Sequence, residues 1–283
     1  MRASGGKSGV MPMLKNITIG QYFRGDSPIH RMDPRLKLIL VIAYIVLLFV
    51  ASGIVGMLLC LAAAVAFYLI ARVQLKMIVK SLKPIIPIIL FTAILNAFFV
   101  EGDVLFSWWI FTVSKQGVLF AIVMTLRLIA LIAGSSLLTY TTSPIQLTDG
   151  LELLMSPLKK IHFPAHELAM MMTIALRFIP TLIEETGKIM NAQKARGADL
   201  ETGGLMQRIK ALVPILIPLF ISAFRRADEL AIAMECRCYH GGEGRTRMKK
   251  LTFHLVDLWG LLVMAALFVG ILTAVHFIPP ITF

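Results

Sequence analysis

Few residues in this chain of 283 could do chemistry, and most of them gather in one stretch. Between residues 164 and 240, two long segments of helical apolar periodicity each end in an arginine set between small residues. These ends are Ala195-Arg196-Gly197 and Cys236-Arg237-Cys238. Two chemistries are open to such an arginine. As a cation at a helix C-terminus it complements the partial negative charge of the last carbonyls, worth ~0.3–1 kcal/mol. As a recognition group, its planar fork can take a carboxylate bidentately while small neighbours let a partner's backbone approach. The residue types alone leave these two readings even.

Other chemistry is weaker. Gly241-Gly242-Glu243-Gly244-Arg245-Thr246 is Gly-rich and basic, but it lacks the G-x-x-x-x-G-K-[ST] order and follows no strand, so it reads as a helix terminator rather than a phosphate cradle. His166-Glu167-Leu168-Ala169-Met170 starts like a zinc-protease helix, but a methionine stands where the second histidine belongs, and Glu167 suits the first turn of a helix. Cys236, Cys238 and His240 supply soft ligands without a fourth at finger-like spacing. With Cys60 they make no disulfide framework, and free thiols are expected.

The elements that position the two arginines are set by composition. Hydrophobic residues make up 58% of the chain and charged ones 16%, against about 25% in soluble domains, and mean hydropathy is +0.81. Apolar runs of helical length, rather than ten-residue alternation, predict an all-α integral membrane protein. Five spans are expected, over about 36–51, 54–71, 84–100, 117–140 and 256–277. Asp33-Pro34 should start the first, since aspartate caps an orphan N–H and proline loses no bond at the first helical position. Ser52-Gly53 reads as a tight outer turn, and a loop at 101–116 carries Trp108 and Trp109 as an interfacial aromatic pair. Residues 1–10 read as a polar leader with no cleavable signal, before a natural-looking start near Met11 or Met13.

The net charge of +12 is carried between the apolar runs, which reports orientation and not nucleic-acid binding. Arg24, Arg31, Arg35, Arg72, Lys76, Lys80 and Lys83 place the N-terminus in the cytoplasm and the C-terminus outside. The central segments tempt a seven-span reading. Their apolar runs fall short of about 20 residues, Arg177 interrupts the first, and the segment between them is basic. The centre is therefore expected to be a cytoplasmic or interfacial domain of two long crossed helices, from about Pro164 to Lys194 and from about Arg208 to Glu235. Each would be about 45 Å long at about 1.5 Å per residue. Cys238 would enter the left-handed region at a cost of ~1–2 kcal/mol, so the second helix should continue through it and break at Gly241-Gly242. The predicted organisation is an N-terminal segment (1–35), four spans (36–143), a coupling domain (144–255) and a fifth span (256–283).

Polar groups inside the spans are scarce. Arg127 is expected to reach a carboxylate or helix end of the central domain, and Asn96 is the other strongly polar residue well inside a span. So few groups do not line a hydrophilic pathway. Met155, Met170, Met171, Met172, Met190, Met206 and Met234 fit either core packing or an adaptable partner surface.

At this point the sequence resembles a known family. His30-Arg31-Met32-Asp33-Pro34-Arg35-Leu36-Lys37, Thr148-Asp149-Gly150, Leu176-Arg177-Phe178-Ile179-Pro180-Thr181, the two arginine ends and the Gly-rich tail together resemble the transmembrane component of energy-coupling factor transporters, bacterial ABC-type importers of vitamins and some metal ions. The family hallmark is two Ala-Arg-Gly motifs. Ala195-Arg196-Gly197 matches in full; at Cys236-Arg237-Cys238 only the arginine is kept. The resemblance implies that two cytosolic ATPases, similar or identical, dock on the two arginine-tipped helices and bind the ATP. It also implies a separate small membrane protein that holds the substrate, and no enzyme activity, cofactor or metal of this chain's own. The Gly-rich tail resembles the form shared among several substrate-binding partners rather than one dedicated to metal. Two other classes stay in view: a self-sufficient channel or secondary transporter, and a metalloenzyme using His162, His166, Cys236, Cys238 and His240.

Overall fold

The computed structural model describes residues 22–277 except 24, 52, 75, 101–102, 109–110, 199–203 and 243–251. The leader, Trp109, the loop at 199–203 and most of the Gly-rich tail thus lie outside the described residues. The chain is a helical integral membrane protein. Its elements are α1 (Pro28–Arg31), α2 (Pro34–Val50), α3 (Gly53–Ala71), α4 (Lys76–Leu82), a 3-10 turn (Lys83–Ile85) and α5 (Ile86–Phe99). Strands β1 (Val104–Trp108) and β2 (Phe111–Ser114) follow, then α6 (Lys115–Thr141), α7 (Pro144–Met155), a 3-10 turn (Ser156–Ile161), α8 (Ala165–Ala195), α9 (Leu205–Glu235) and α10 (Leu255–Phe277). The hairpin is a small departure from the all-α expectation. The 101–116 loop closes as two antiparallel strands with Val104 opposite Ser114 and Trp108 opposite Phe111.

Among the described residues, five helices are long and apolar enough to cross a bilayer: Gly53–Ala71, Lys76–Phe99, Lys115–Thr141, Ala165–Ala195 and Leu255–Ala274. Four coincide with expected spans. The expected first span, α2, has 17 residues, about 25 Å, slightly less than the ~30 Å hydrocarbon core. α8 qualifies by length and composition but is the least apolar of the five.

The chain divides into two compact units, 21–154 with 249–283 and 155–248 with the first twenty residues. In the first unit α6 is the centre. Its small residues Ala130, Ala133 and Gly134 let neighbours approach closely, as membrane helices require where no hydrophobic effect drives them together. Tyr44 and Tyr68 fill that space and spend their hydroxyls on it. Tyr44 donates to the carbonyls of Cys60 (3.1 Å) and Ala130 (3.4 Å). Tyr68 donates to Ala133 O (3.2 Å) and lies 2.7 Å from Ser136 Oγ.

One end of this unit is a knot of helix caps. Asp33 caps α2 by accepting from Arg35 N (2.9 Å), as its sequence predicts. Asp257, in the first turn of α10, accepts from His254 N (2.6 Å) and from Asp33 N (2.8 Å). A capping box needs an acid at the third helical position reaching back to the cap N–H. In α2 that position is Leu36, and Asp257 does the work from the last helix. Lys37 Nζ, 4% exposed, donates to His30 O (3.3 Å), Thr141 O (3.0 Å) and Thr142 Oγ1 (3.4 Å), closing the C-terminus of α6. His30 Nε2 donates to Phe23 O (3.0 Å), which leaves Nδ1 to accept from Ser27 Oγ (2.6 Å) in the neutral ring. Burial holds its pKa below the usual histidine value, against the pull of the Phe23 bond. Gly150 of α7 lies against Pro34, where a Cβ would come within 3.2 Å of the ring, so two of the motifs pack on each other.

Arg127 does not reach the central domain. Nη2 donates to Ala51 O (3.4 Å), the cap residue ending α2, and the guanidinium lies 5.7 Å over the Phe49 ring. The helix end it serves lies in its own unit, one turn of chain before α3. Asn96 is also local, donating to Thr92 O (2.8 Å).

Candidate functional site

The two arginines sit on two helices of 31 residues each, α8 and α9. Both helices are amphipathic, unlike the uniformly apolar spans of the other unit. They pack on each other through side chains that neither segment announces alone. Arg226 Nη2 donates to Glu185 Oε2 (2.8 Å) and Ser222 Oγ donates to Glu185 Oε1. Nearer the tip of α8, Gln193 Nε2 donates to Pro214 O (3.3 Å). That carbonyl has no helical partner, because the residue four positions on is Pro218, which lacks an N–H. Pairing of 185 with 222 and 226, and of 193 with 214, makes the helices antiparallel where they touch. The two tips therefore point away from the contact in opposite directions. Arg196 lies about 16 Å beyond Glu185, and Arg237 about 22 Å beyond Ser222, at about 1.5 Å per residue.

Both helices end in the same way. After α8, Gly197 N donates to Lys194 O (3.0 Å) and Ala198 N to Gln193 O (3.0 Å). After α9, Cys238 N donates to Glu235 O (2.8 Å) and Tyr239 N to Met234 O (3.1 Å). These are two Schellman closures, aligned residue for residue, with the arginine as the last residue before the left-handed one. Gly197 has φ +84° and Cys238 φ +54°. The expectation that α9 runs on through Cys238 to break at Gly241-Gly242 is overturned: α9 ends at Glu235 and Cys238 takes the conformation that glycine takes in the first tip. The reason is the closure itself, which satisfies the last carbonyls only if that residue turns left-handed, and the two hydrogen bonds offset the Cβ strain.

All six residues of the candidate site, Ala195, Arg196, Gly197, Cys236, Arg237 and Cys238, are exposed. Among the described residues, no ion pair engages either arginine. The three thiols are free, Cys60 buried and the other two exposed. The metal reading finds no assembled ligands: no three His, Cys, Asp or Glu among the described residues come together. His166 instead packs against Gly242, Glu167 lies in the first turn of α8, and His240 Nδ1 lies 2.9 Å from Cys238 O. Of the seven central methionines, Met171 and Met206 are exposed and none is fully buried. Sequence reading missed Glu185, Ser222, Arg226 and Gln193. The available signal was the Pro214/Pro218 pair, which must leave a carbonyl seeking a donor.

Comparison with known proteins matches this arrangement to a family. The family described as cobalt transport protein, CbiQ, matches residues 25–249. The chain is 58% identical over 241 residues to the energy-coupling factor transporter transmembrane protein EcfT of Clostridium kluyveri, covering 84% of this chain and 89% of that one. It is 52% identical over 257 residues to the protein of that name from Acidaminococcus fermentans, covering 91% and 96%. It is 51% identical over 257 residues to that from Thermosediminibacter oceani, covering 91% and 97%. The chain belongs to this family of transporter transmembrane proteins. Membership bears on both units, since the matched region takes in the cap knot and both arginine ends.

Proposed function

We propose that this chain is the non-catalytic coupling subunit of an energy-coupling factor importer, in which two cytosolic ATPase subunits dock on Arg196 and Arg237. A separate membrane subunit holds a vitamin or other micronutrient. The observation that carries the reading is the pair of matched helix ends. Two helices of equal length present an exposed arginine in the same closure, at opposite ends of one contact, as two similar docking partners require. A cation serving only its own helix dipole needs neither the exposure nor the repetition.

A cytoplasmic place for residues 155–248, with the N-terminus inside and the C-terminus outside, is part of the same proposal. α8 is long enough to cross, but its packed partner α9 carries Lys210, Arg225, Arg226, Asp228 and Glu229, and Arg177 of α8 is exposed. Two paired helices so charged favour water or the interface over hydrocarbon. The channel or carrier alternative has no support from Arg127 or Asn96, both of which are bonded to backbone or sulfur of their own unit.

The test is co-purification of the ATPases with Arg196→Glu and Arg237→Glu chains, together with ATP-dependent uptake in cells. Each reversal should give a stable membrane protein that loses ATPase and uptake. Normal uptake by either single variant would sink the two-site reading.

A further inference from the structure

The membrane unit contains a cavity of about 180 Å³ between α2, α3, α6 and α10, closed at one end by α1. Its walls include Val41, Tyr44, Ala64, Gly134, Leu137 and Met264. Its rim includes Ile70, Trp259 and Val263, which are 48%, 68% and 43% exposed. The few polar groups in the wall are already committed. Lys37 Nζ has three oxygen acceptors, Tyr44 Oη has two, and Thr141 Oγ1 donates to Leu137 O at 2.8 Å.

A void with no free polar group does not hold water, and one of about 150 Å³ lined by aliphatic and aromatic residues takes up a hydrocarbon instead. An α-helix, about 10–12 Å across, is too wide to enter. The rim opens among membrane-spanning helices, where the surrounding medium is lipid tails. At the α1 end the lining residues Ile29 and Met32 flank Arg31, which is exposed, and Arg35 follows one turn on. The acids of that end, Asp33 and Asp257, are buried and bonded to backbone N–H groups, so the surface charge there is carried by the arginines.

From this geometry we infer a lipid site: one acyl tail of an anionic phospholipid enters the cavity while its phosphate lies against Arg31 and Arg35. The tail lies between the first and last long helices of the unit, beside the residues that tie them together. A bound lipid would therefore stabilise the cap knot.

The test uses the full chain with Trp108→Phe and Trp109→Phe, leaving Trp259 as the only tryptophan, in phosphatidylcholine nanodiscs. Phosphatidylglycerol brominated in one tail is compared with phosphatidylcholine brominated in the same way, each added at a low fraction. Saturable quenching of Trp259 is expected at a several-fold lower fraction of the anionic lipid, with a loss of about fivefold for each arginine changed to glutamine. Val41→Phe, which fills the cavity from its wall, should return quenching to the level of bulk contact, and Ala64→Val serves where that chain fails to fold. Equal quenching by both lipids, or saturable quenching unchanged by cavity filling, would overturn the site.

Discussion

The cap knot around Asp33 and the two arginine tips are both motif-bearing regions, and both are built from charged residues at helix ends. They use those charges in opposite ways. In the knot the charges turn inward: Asp257 serves two helix N-termini, Lys37 a C-terminus, and Asp33 its own helix. Each is buried and bonded to backbone. At the tips the closures are completed by backbone alone, which leaves both guanidinium groups in the open. A motif whose charges are consumed by the fold holds the fold together. A motif whose backbone is already satisfied has its charge to spare for another chain.

That contrast can be broken by substitution. Asp257→Ala removes the acceptor of two N–H groups at the buried end, and each orphaned group is worth ~1–3 kcal/mol. Thermal unfolding in detergent should therefore show a loss of ~2–6 kcal/mol, and Asp257→Asn, which keeps one acceptor, should lose less. Arg196→Glu and Arg237→Glu should give the reverse pattern. Unfolding should be unchanged, while ATPase binding weakens by ~2–5 kcal/mol each, because a partner carboxylate is left unpaired. If the arginine variants melted early and Asp257→Ala did not, the division of labour would be wrong.

Smaller effects sharpen the picture. Cys238→Gly should raise stability of the coupling unit by ~1 kcal/mol, since a residue at φ +54° is replaced by one with no Cβ, and docking should survive. Loss of docking in that variant would give the thiol a role of its own. The smallest effect is expected from His30. Its pKa is held low in the fold, so the unfolded chain binds the proton more readily. Stability is then fully present above the unfolded value of about 6.5 and is lost as pH falls below it. Unfolding measured from pH 7.5 to 5 should show this decline, and His30→Gln should flatten it.

Much of this was legible in the sequence. The spans were, because apolar runs bounded by Pro, Gly and charge leave few alternatives, and observed ends fall close to expected ones. Asp33-Pro34 was legible because capping is local. The arginine tips were legible as places, but not in their conformation. Propensity says that cysteine resists the left-handed region, whereas two hydrogen bonds at the end of a 31-residue helix offset that preference. Asp257 escaped notice because its partner lies 224 residues away, although an acid in the first turn of an apolar helix was itself a signal. Arg127 was assigned the right kind of partner, a helix end, on the wrong element. Glu185 with Ser222 and Arg226 could not be paired without knowing that α8 and α9 run antiparallel.

The contact between α8 and α9 also sets a mechanical ratio. With Glu185 and Ser222 as fulcrum, the arm to Arg196 is about 16 Å and the arm to Arg237 about 22 Å, measured at about 1.5 Å per residue. A scissoring of about 10° then carries one tip through about 3 Å and the other through about 4 Å, on the same helix lengths. The longer arm has the larger stroke and the smaller force. Two identical motors pulling on this lever would not be mechanically equivalent.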